Sequence, residues 1–265
     1  MIVKQLKIHK LSGTVLRFFA TCIAILGVSA AMANPVLDHV AAGQVNINQQ
    51  PNQTIVEQSS QKAIINWQTF NIGAQESTHF QQPSNGVALN RINPANGFSS
   101  IEGRLTATGK IILVNPAGIY FGPSAFVNVG GLIASTADIS DSDFLAGRYL
   151  FNATSQTGAI VNEGLIRAHD HGLVALVGGA VQNDGTIEAR LGHVVLGSGS
   201  AFTLSFAGND LINFSVDAPT ASQVNHPRTG NRLSSGVVNK GQLLADGGQI
   251  MVSAKAAQGV LDNVI

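Results

Sequence analysis

Three sets of side chains in this 265-residue chain carry atoms suited to chemistry. Asp138, Asp141 and Asp143 place three carboxylates within six residues, and carboxylate oxygen is what calcium takes. Their spacing lacks the glycine that an EF-hand loop needs for its bend, and a solvated turn is the plainer reading. His169-Asp170-His171 has the composition of a metal triplet. Neighbouring side chains on a strand point to opposite faces, however, and the triplet falls where a turn is expected, between Ala168 and Gly172. The third set is Glu163, Asp184 and Lys240, each directly after a recurring asparagine. Lyases and hydrolases acting on acidic polysaccharides need several carboxylates, or a basic residue with bound calcium, on one outer face. Here the acidic residues are scattered and read as turn polarity.

Nucleophile and phosphate motifs are missing. No Gly-x-Ser-x-Gly elbow occurs, and Gly103 to Lys110 has five residues between its glycines and no Ser or Thr after the lysine. The single cysteine, Cys22, lies in a segment read below as a removable leader, so thiolate metal sites and disulfides are excluded from the rest. These residues imply no catalytic site, no metal and no cofactor.

The elements that would have to position any site are set by a repeat. The phrase Asn-x-Gly-x-Ile/Leu-x-Ala stands at Asn128-Gly130-Leu132-Ala134, Asn162-Gly164-Ile166-Ala168, Asn183-Gly185-Ile187-Ala189 and Asn239-Gly241-Leu243-Ala245. A defective copy, Ile101-Gly103-Leu105-Ala107, precedes them. Positions two apart on a strand share one face, and the closest copies are 21 residues apart, one coil of a solenoid. The pattern predicts an all-β, right-handed parallel β-helix with an amino-terminal β cap and extra strands outside the coil. Ile, Leu and Ala should stack on their counterparts one coil away, and Asn128, Asn162, Asn183 and Asn239 should form a side-chain ladder. At about 21 residues per coil, some ten coils are expected.

Residues 1–33 read as an export signal: Lys4, Lys7, Lys10 and Arg17, an uncharged run over 18–31, then Ala31-Met32-Ala33. The run has 14 residues, short of the about 20 that span a membrane. Removing the leader takes four of the 15 basic residues and none of the 15 acidic ones, leaving a net charge of −4. That balance argues against nucleic acid and stable membrane insertion. Residues 34–265 then divide into cap and first coils (34–100), repeat coils (101–201), an insertion (202–235) and a last coil (236–265), which a longer parent rod would continue. The cap should hold Trp67 and Phe70, the only helix should be one turn at 141–145, and 219–235 should be a mobile loop.

The first half carries more specific wording. Ile65-Asn66-Trp67-Gln68-Thr69-Phe70-Asn71-Ile72-Gly73, Val87-Ala88-Leu89-Asn90-Arg91, Asn115-Pro116-Ala117-Gly118-Ile119-Tyr120-Phe121-Gly122 and Val129-Gly130-Gly131-Leu132-Ile133-Ala134-Ser135-Thr136 resemble the amino-terminal domain of the filamentous haemagglutinin family. Asp143-Phe144-Leu145-Ala146-Gly147 adds to the likeness, and the order is most similar to the high-molecular-weight adhesin branch. The resemblance implies two-partner secretion in Gram-negative bacteria: passage through the periplasm, recognition by an outer-membrane barrel transporter with periplasmic docking domains, and β-helix folding outside the cell. It points to Asn115, Pro116, Gly118, Ile119, Trp67, Phe70, Asn71, Asn90 and Arg91 as recognition residues. The family's second Asn in its Asn-Pro-Asn-Gly-Ile motif is Ala117 here. Asn-Pro-x-Gly is also a turn sequence, so the motif either bends the chain between coils or touches the transporter. One of Trp67 and Phe70 is expected to pack inside and the other to face a partner. Competing readings are a directly adhesive surface protein, binding a host receptor or glycan through a longer parent, and a polysaccharide-active enzyme.

Overall fold

Strands this short and this apolar can bury their faces only by stacking coil upon coil, and the chain does so. The computed structural model describes residues 34–154, 157–208 and 210–260. The expected leader, with Cys22, and residues 261–265 lie outside these. Each coil crosses three parallel sheets in turn. The first sheet stacks Lys62–Thr69, Val87–Ile92, Lys110–Val114, Gly131–Ser135, Leu173–Gly178, His193–Ser198 and Gln249–Ala254. The next contains Ser99–Ile101, Ile119–Phe121, Ala159–Asn162, Ala180–Asn183 and Val237–Asn239. The third runs from Gln53–Gln58 through Ser77–Gln81, Arg104–Ala107, Phe126–Val129, Leu165–Ala168 and Thr186–Glu188 to Gln242–Leu244. The fold is a parallel β-helix, as the repeat predicts.

Among the described residues the first sheet has eight strands, of which the outermost, Val36–Ala42, is antiparallel, leaving seven stacked parallel rungs rather than the ten expected. The insertions consume the missing length. The coil also starts earlier than the repeat does. Among the described residues only Val36–Ala42 and Val45–Gln50 form an antiparallel lid, and parallel pairing begins at Gln53. Trp67 and Phe70 therefore belong to the first coil and not to a cap.

Like side chains stack as expected. Ala88, Ile111, Leu132, Val174, Val194 and Ile250 pair laterally along the first sheet. Leu105, Val127, Ile166, Ile187 and Leu243 do so along the third. Apart from Ile250, which is exposed on the last rung, these columns form one continuous interior, a geometry in which each methyl group meets its copy at about the 4.8 Å rung spacing. Glycine marks the corners because backbones meet there. A Cβ at Gly164, Gly185 or Gly241 would lie 2.5, 2.2 or 1.9 Å from the carbonyl oxygen of the glycine one rung before.

The first sheet is buried on its outer face as well, which explains runs such as Ile111-Ile112-Leu113-Val114. That face carries a four-stranded antiparallel sheet of Asp138–Ile139, Tyr149–Asn152, Ala201–Ala207 and Asp210–Ala218, with helix α1 (Asp141–Ala146). The helix is six residues long, slightly more than the single turn read from sequence; Ser140 caps its amino end and Gly147, in the left-handed region at φ 76°, closes it. The segment expected to be a mobile loop, 219–235, instead contains a small hairpin, Val224–Asn225 with Arg232–Leu233. Val224 packs on Ala159 and Ala180, outside the middle sheet, and this burial holds the polar segment in place.

Candidate functional site

The residues singled out for recognition fall into three places. Asn115 follows the first-sheet strand Lys110–Val114 and starts the turn into Ile119–Phe121. Its Oδ1 accepts the Ala117 N–H at 3.0 Å, and the Gly118 N–H closes the turn onto the Asn115 carbonyl at 3.0 Å. Its Nδ2 donates to the Gly97 carbonyl and to Ser99 Oγ of the previous coil, at 3.1 and 3.0 Å. Gly118 sits at φ 118°, and a Cβ there would stand 3.0 Å from the Ala159 carbonyl oxygen, so both backbone shape and space demand glycine. The Pro116 carbonyl accepts the Gly158 N–H of the next coil at 2.9 Å. Asn115, Pro116, Gly118 and Ile119 are buried; only Ala117 is half-buried. The turn thus staples three successive coils. Ala117, where the family carries Asn, is its one accessible side chain.

The second place is the interior of the first coils. Trp67 and Phe70 are both buried, edge to face with ring centres 5.3 Å apart, and Phe70 stacks on Phe80 at 6.4 Å. Neither ring is exposed in the folded coil, where one of the two was expected outside: the strand ends at Thr69, so strand alternation does not carry over to Phe70 and the three-residue spacing no longer places them on opposite sides. Trp67 Nε1 donates to Asn90 Oδ1 at 2.9 Å, and Asn90 Nδ2 reaches the Ala88 carbonyl at 3.2 Å. Asn90 is fully buried and satisfies the one polar atom of the indole. Asn71 Oδ1 accepts the Ser100 N–H at 2.8 Å, tying this coil to the next.

Arg91 occupies the third place, on the outer face of the first sheet. Its Nε donates to Asp138 Oδ1 at 2.9 Å, and its Nη2 to Asp141 Oδ1 at 2.9 Å and the Ile139 carbonyl at 2.7 Å. Burial opposes the guanidinium charge, but the bonds and charges of Asp138 and Asp141 outweigh it and raise the pKa above the ordinary arginine value. Asp143 is held below the usual carboxylate range by its bonds to Ser140 and then Arg148. Each carboxylate of the aspartate triplet therefore has an arginine. Asp170 of the His-Asp-His triplet lies in a turn and pairs with Arg190, at 2.9 Å from its Nε.

The asparagine ladder is real but one member short. Asn162 Nδ2 donates to Asn183 Oδ1, and Asn183 Nδ2 to Asn239 Oδ1, each at 2.7 Å. Asn128 is not in it. It lies on the third sheet beside Thr106 and Arg167, half-exposed on the outer side, while the ladder column continues upstream through Phe121 and Ile101. The copy that looked defective is in register and the copy that looked complete is a third of a coil out. Every strand of a coil offers alternate inward positions, so the motif by itself does not say which sheet it is on.

One cluster escaped sequence reasoning. Tyr120 donates to Glu163 Oε2 at 2.5 Å, Arg228 stacks on its ring at 5.0 Å and pairs with Glu102, and the His226 ring lies 5.9 Å away. Burial, then the bond to Glu163, pushes the Tyr120 hydroxyl up to about 12. Its members are up to 126 residues apart and share no motif.

Residues 31–265 match the family model of the TPS secretion domain. A heme/hemopexin-binding protein of Haemophilus influenzae (strain ATCC 51907 / DSM 11121 / KW20 / Rd) is 32% identical over 182 residues, 65% of this chain and 20% of its own length. Another heme/hemopexin-binding protein from Haemophilus influenzae is 38% identical over 111 residues, 42% of this chain and 12% of that one. The chain thus spans about a fifth or less of the curated relatives it matches. The crystal structure of the HMW1 secretion domain from Haemophilus influenzae superposes with a TM-score of 0.70 at 33% identity, covering 83% of this chain and 57% of that one.

Proposed function

The chain belongs to the TPS secretion domain family, and from that premise we propose that its cognate outer-membrane transporter reads residues 34–265 before they fold. Membership makes the domain a two-partner secretion domain of an exported protein, and implies a transporter as partner. The finer reading is that periplasmic docking domains of a barrel transporter bind the unfolded chain, which then builds its β-helix outside the cell. One observation carries it: Asn115, Gly118, Ile119, Trp67, Phe70 and Asn90 are buried once the coil exists, so a partner can touch them only on the unfolded chain. An extended segment of alternating side chains suits strand addition to a sheet edge of the docking domain.

On this reading residues 1–33 direct the chain to the periplasm, and no catalytic step belongs to the domain. Adhesion, or the heme and hemopexin binding in the names of its relatives, would reside in distal parts of a longer protein. The test is co-expression of the whole chain with and without a candidate transporter, scoring protein in the medium. Export should need the transporter and should fall several-fold when Asn115 and Pro116 are both changed to Ala. Equal export without the transporter, or undiminished export of the double variant, overturns the proposal.

A further inference from the structure

The outer face of the first sheet poses a problem for a chain that folds in the order it emerges. Ile64, Leu89 and Ile112 point outward from the early rungs, yet they are 0, 0 and 1% exposed. Their cover is Ala137, Ile139, Phe144 and Phe151, which come 25 to 87 residues later in the sequence. The first coils cannot bury both faces until that later segment docks.

Two basic residues on those rungs reach for it. Arg91 takes Asp138, the Ile139 carbonyl and Asp141, as described above. Lys62 Nζ donates to the Phe144 and Leu145 carbonyls at 3.0 and 2.8 Å, at the carboxyl end of α1, where the Phe144 oxygen also takes the Gly147 N–H of the cap. The Arg91 and Asp138 side chains are 22% and 33% exposed and Asp141 is 52% exposed, so the Asp138 limb is the better shielded of the two. Five hydrogen bonds from two rungs thus converge on one eight-residue stretch, 138–145.

We infer that Lys62 and Arg91 are latch residues, which clasp 137–152 across the early rungs and thereby commit the amino-terminal coils to the folded state. Arg91 then acts inside the domain, as a positioning residue for folding, instead of meeting the transporter. The role of the latch in export rests on the reading that the chain crosses unfolded, but its physical test does not.

That test follows hydrogen exchange and urea unfolding of the whole folded chain carrying Arg91→Ala, Asp138→Asn with Asp141→Asn, or all three. Arg91→Ala should speed exchange about tenfold in 62–92 and 138–152 together, while 173–198 keeps its protection. The acid-pair variant should do the same, and the triple variant should add little, since partners in one network are not additive. Arg91→Lys should restore only part, because an ammonium lacks the fork that spans two carboxylates. If Arg91→Ala does not accumulate in folded form, Lys62→Gln gives the same comparison from the other bolt. Faster exchange confined to 138–152, or fully additive effects, overturns the latch. Unchanged exchange with lost export also overturns it, and leaves recognition by the transporter standing. Transporter-independent export would sink the recognition reading and leave the latch untouched.

Discussion

Changing Asn183 to Ala should destabilise the domain by about 2–4 kcal/mol, while changing Asn128 to Ala should cost about 0.5 kcal/mol or less. The two asparagines stand in the same seven-residue phrase, so sequence alone would make them equal. Asn183 is fully buried and sits mid-ladder, accepting from Asn162 and donating to Asn239, both at 2.7 Å, with a weaker bond to the Gly185 carbonyl at 3.3 Å. Its truncation removes two short bonds, each worth about 1 kcal/mol net, and leaves the buried Asn162 amide with only the Gly164 carbonyl at 3.3 Å. A partly unsatisfied buried donor adds about 1–2 kcal/mol. Asn239 is exposed, so water can replace its lost partner and little is added there. Asn128 is half-exposed on the outer side of the third sheet, and its truncation opens no buried polar group of the ladder. Urea unfolding followed by far-ultraviolet circular dichroism measures both, with the midpoint shift read at constant slope. Equal losses for the two variants, or an Asn183→Ala loss below about 0.5 kcal/mol, would refute the register and with it the physical account of the ladder.

Replacing Asn90 by Ala should cost about 2–3 kcal/mol, because the buried Trp67 indole N–H loses its acceptor; the same urea experiment measures it, and Trp67→Phe in the Asn90→Ala background should cost less than Trp67→Phe alone. The only two tyrosines, Tyr120 and Tyr149, both have raised pKa values, principally through burial, so phenolate absorbance near 295 nm should stay low at pH 10 in the folded protein and jump on unfolding. The sign follows: Tyr120 contributes its stability fully below the unfolded value near 10, and that contribution is lost as pH climbs to about 12.

What the sequence determined by itself was the kind of object this is. Inward side chains two apart, a glycine where backbones must pass closely and a recurring asparagine make a stacked coil, since a single such unit cannot bury its own face. The family wording over residues 65–136 led to the same place, because those residues are the rungs and turns of the first coils. The tertiary structure decided which copies are in register. Period-two alternation is common to all three sheets, and lateral pairing alone assigns Ile101 and Phe121, but not Asn128, to the ladder column. It also decided the fate of the marked side chains. The end of the strand at Thr69 left both Trp67 and Phe70 inside, and a clasp folded back from later in the chain captured Arg91. The polar 219–235 segment was held by a few apolar contacts such as Val224. These outcomes depend on contacts between residues far apart in the chain, often tens of positions and up to 126, a distance over which local spacing and residue type carry no information.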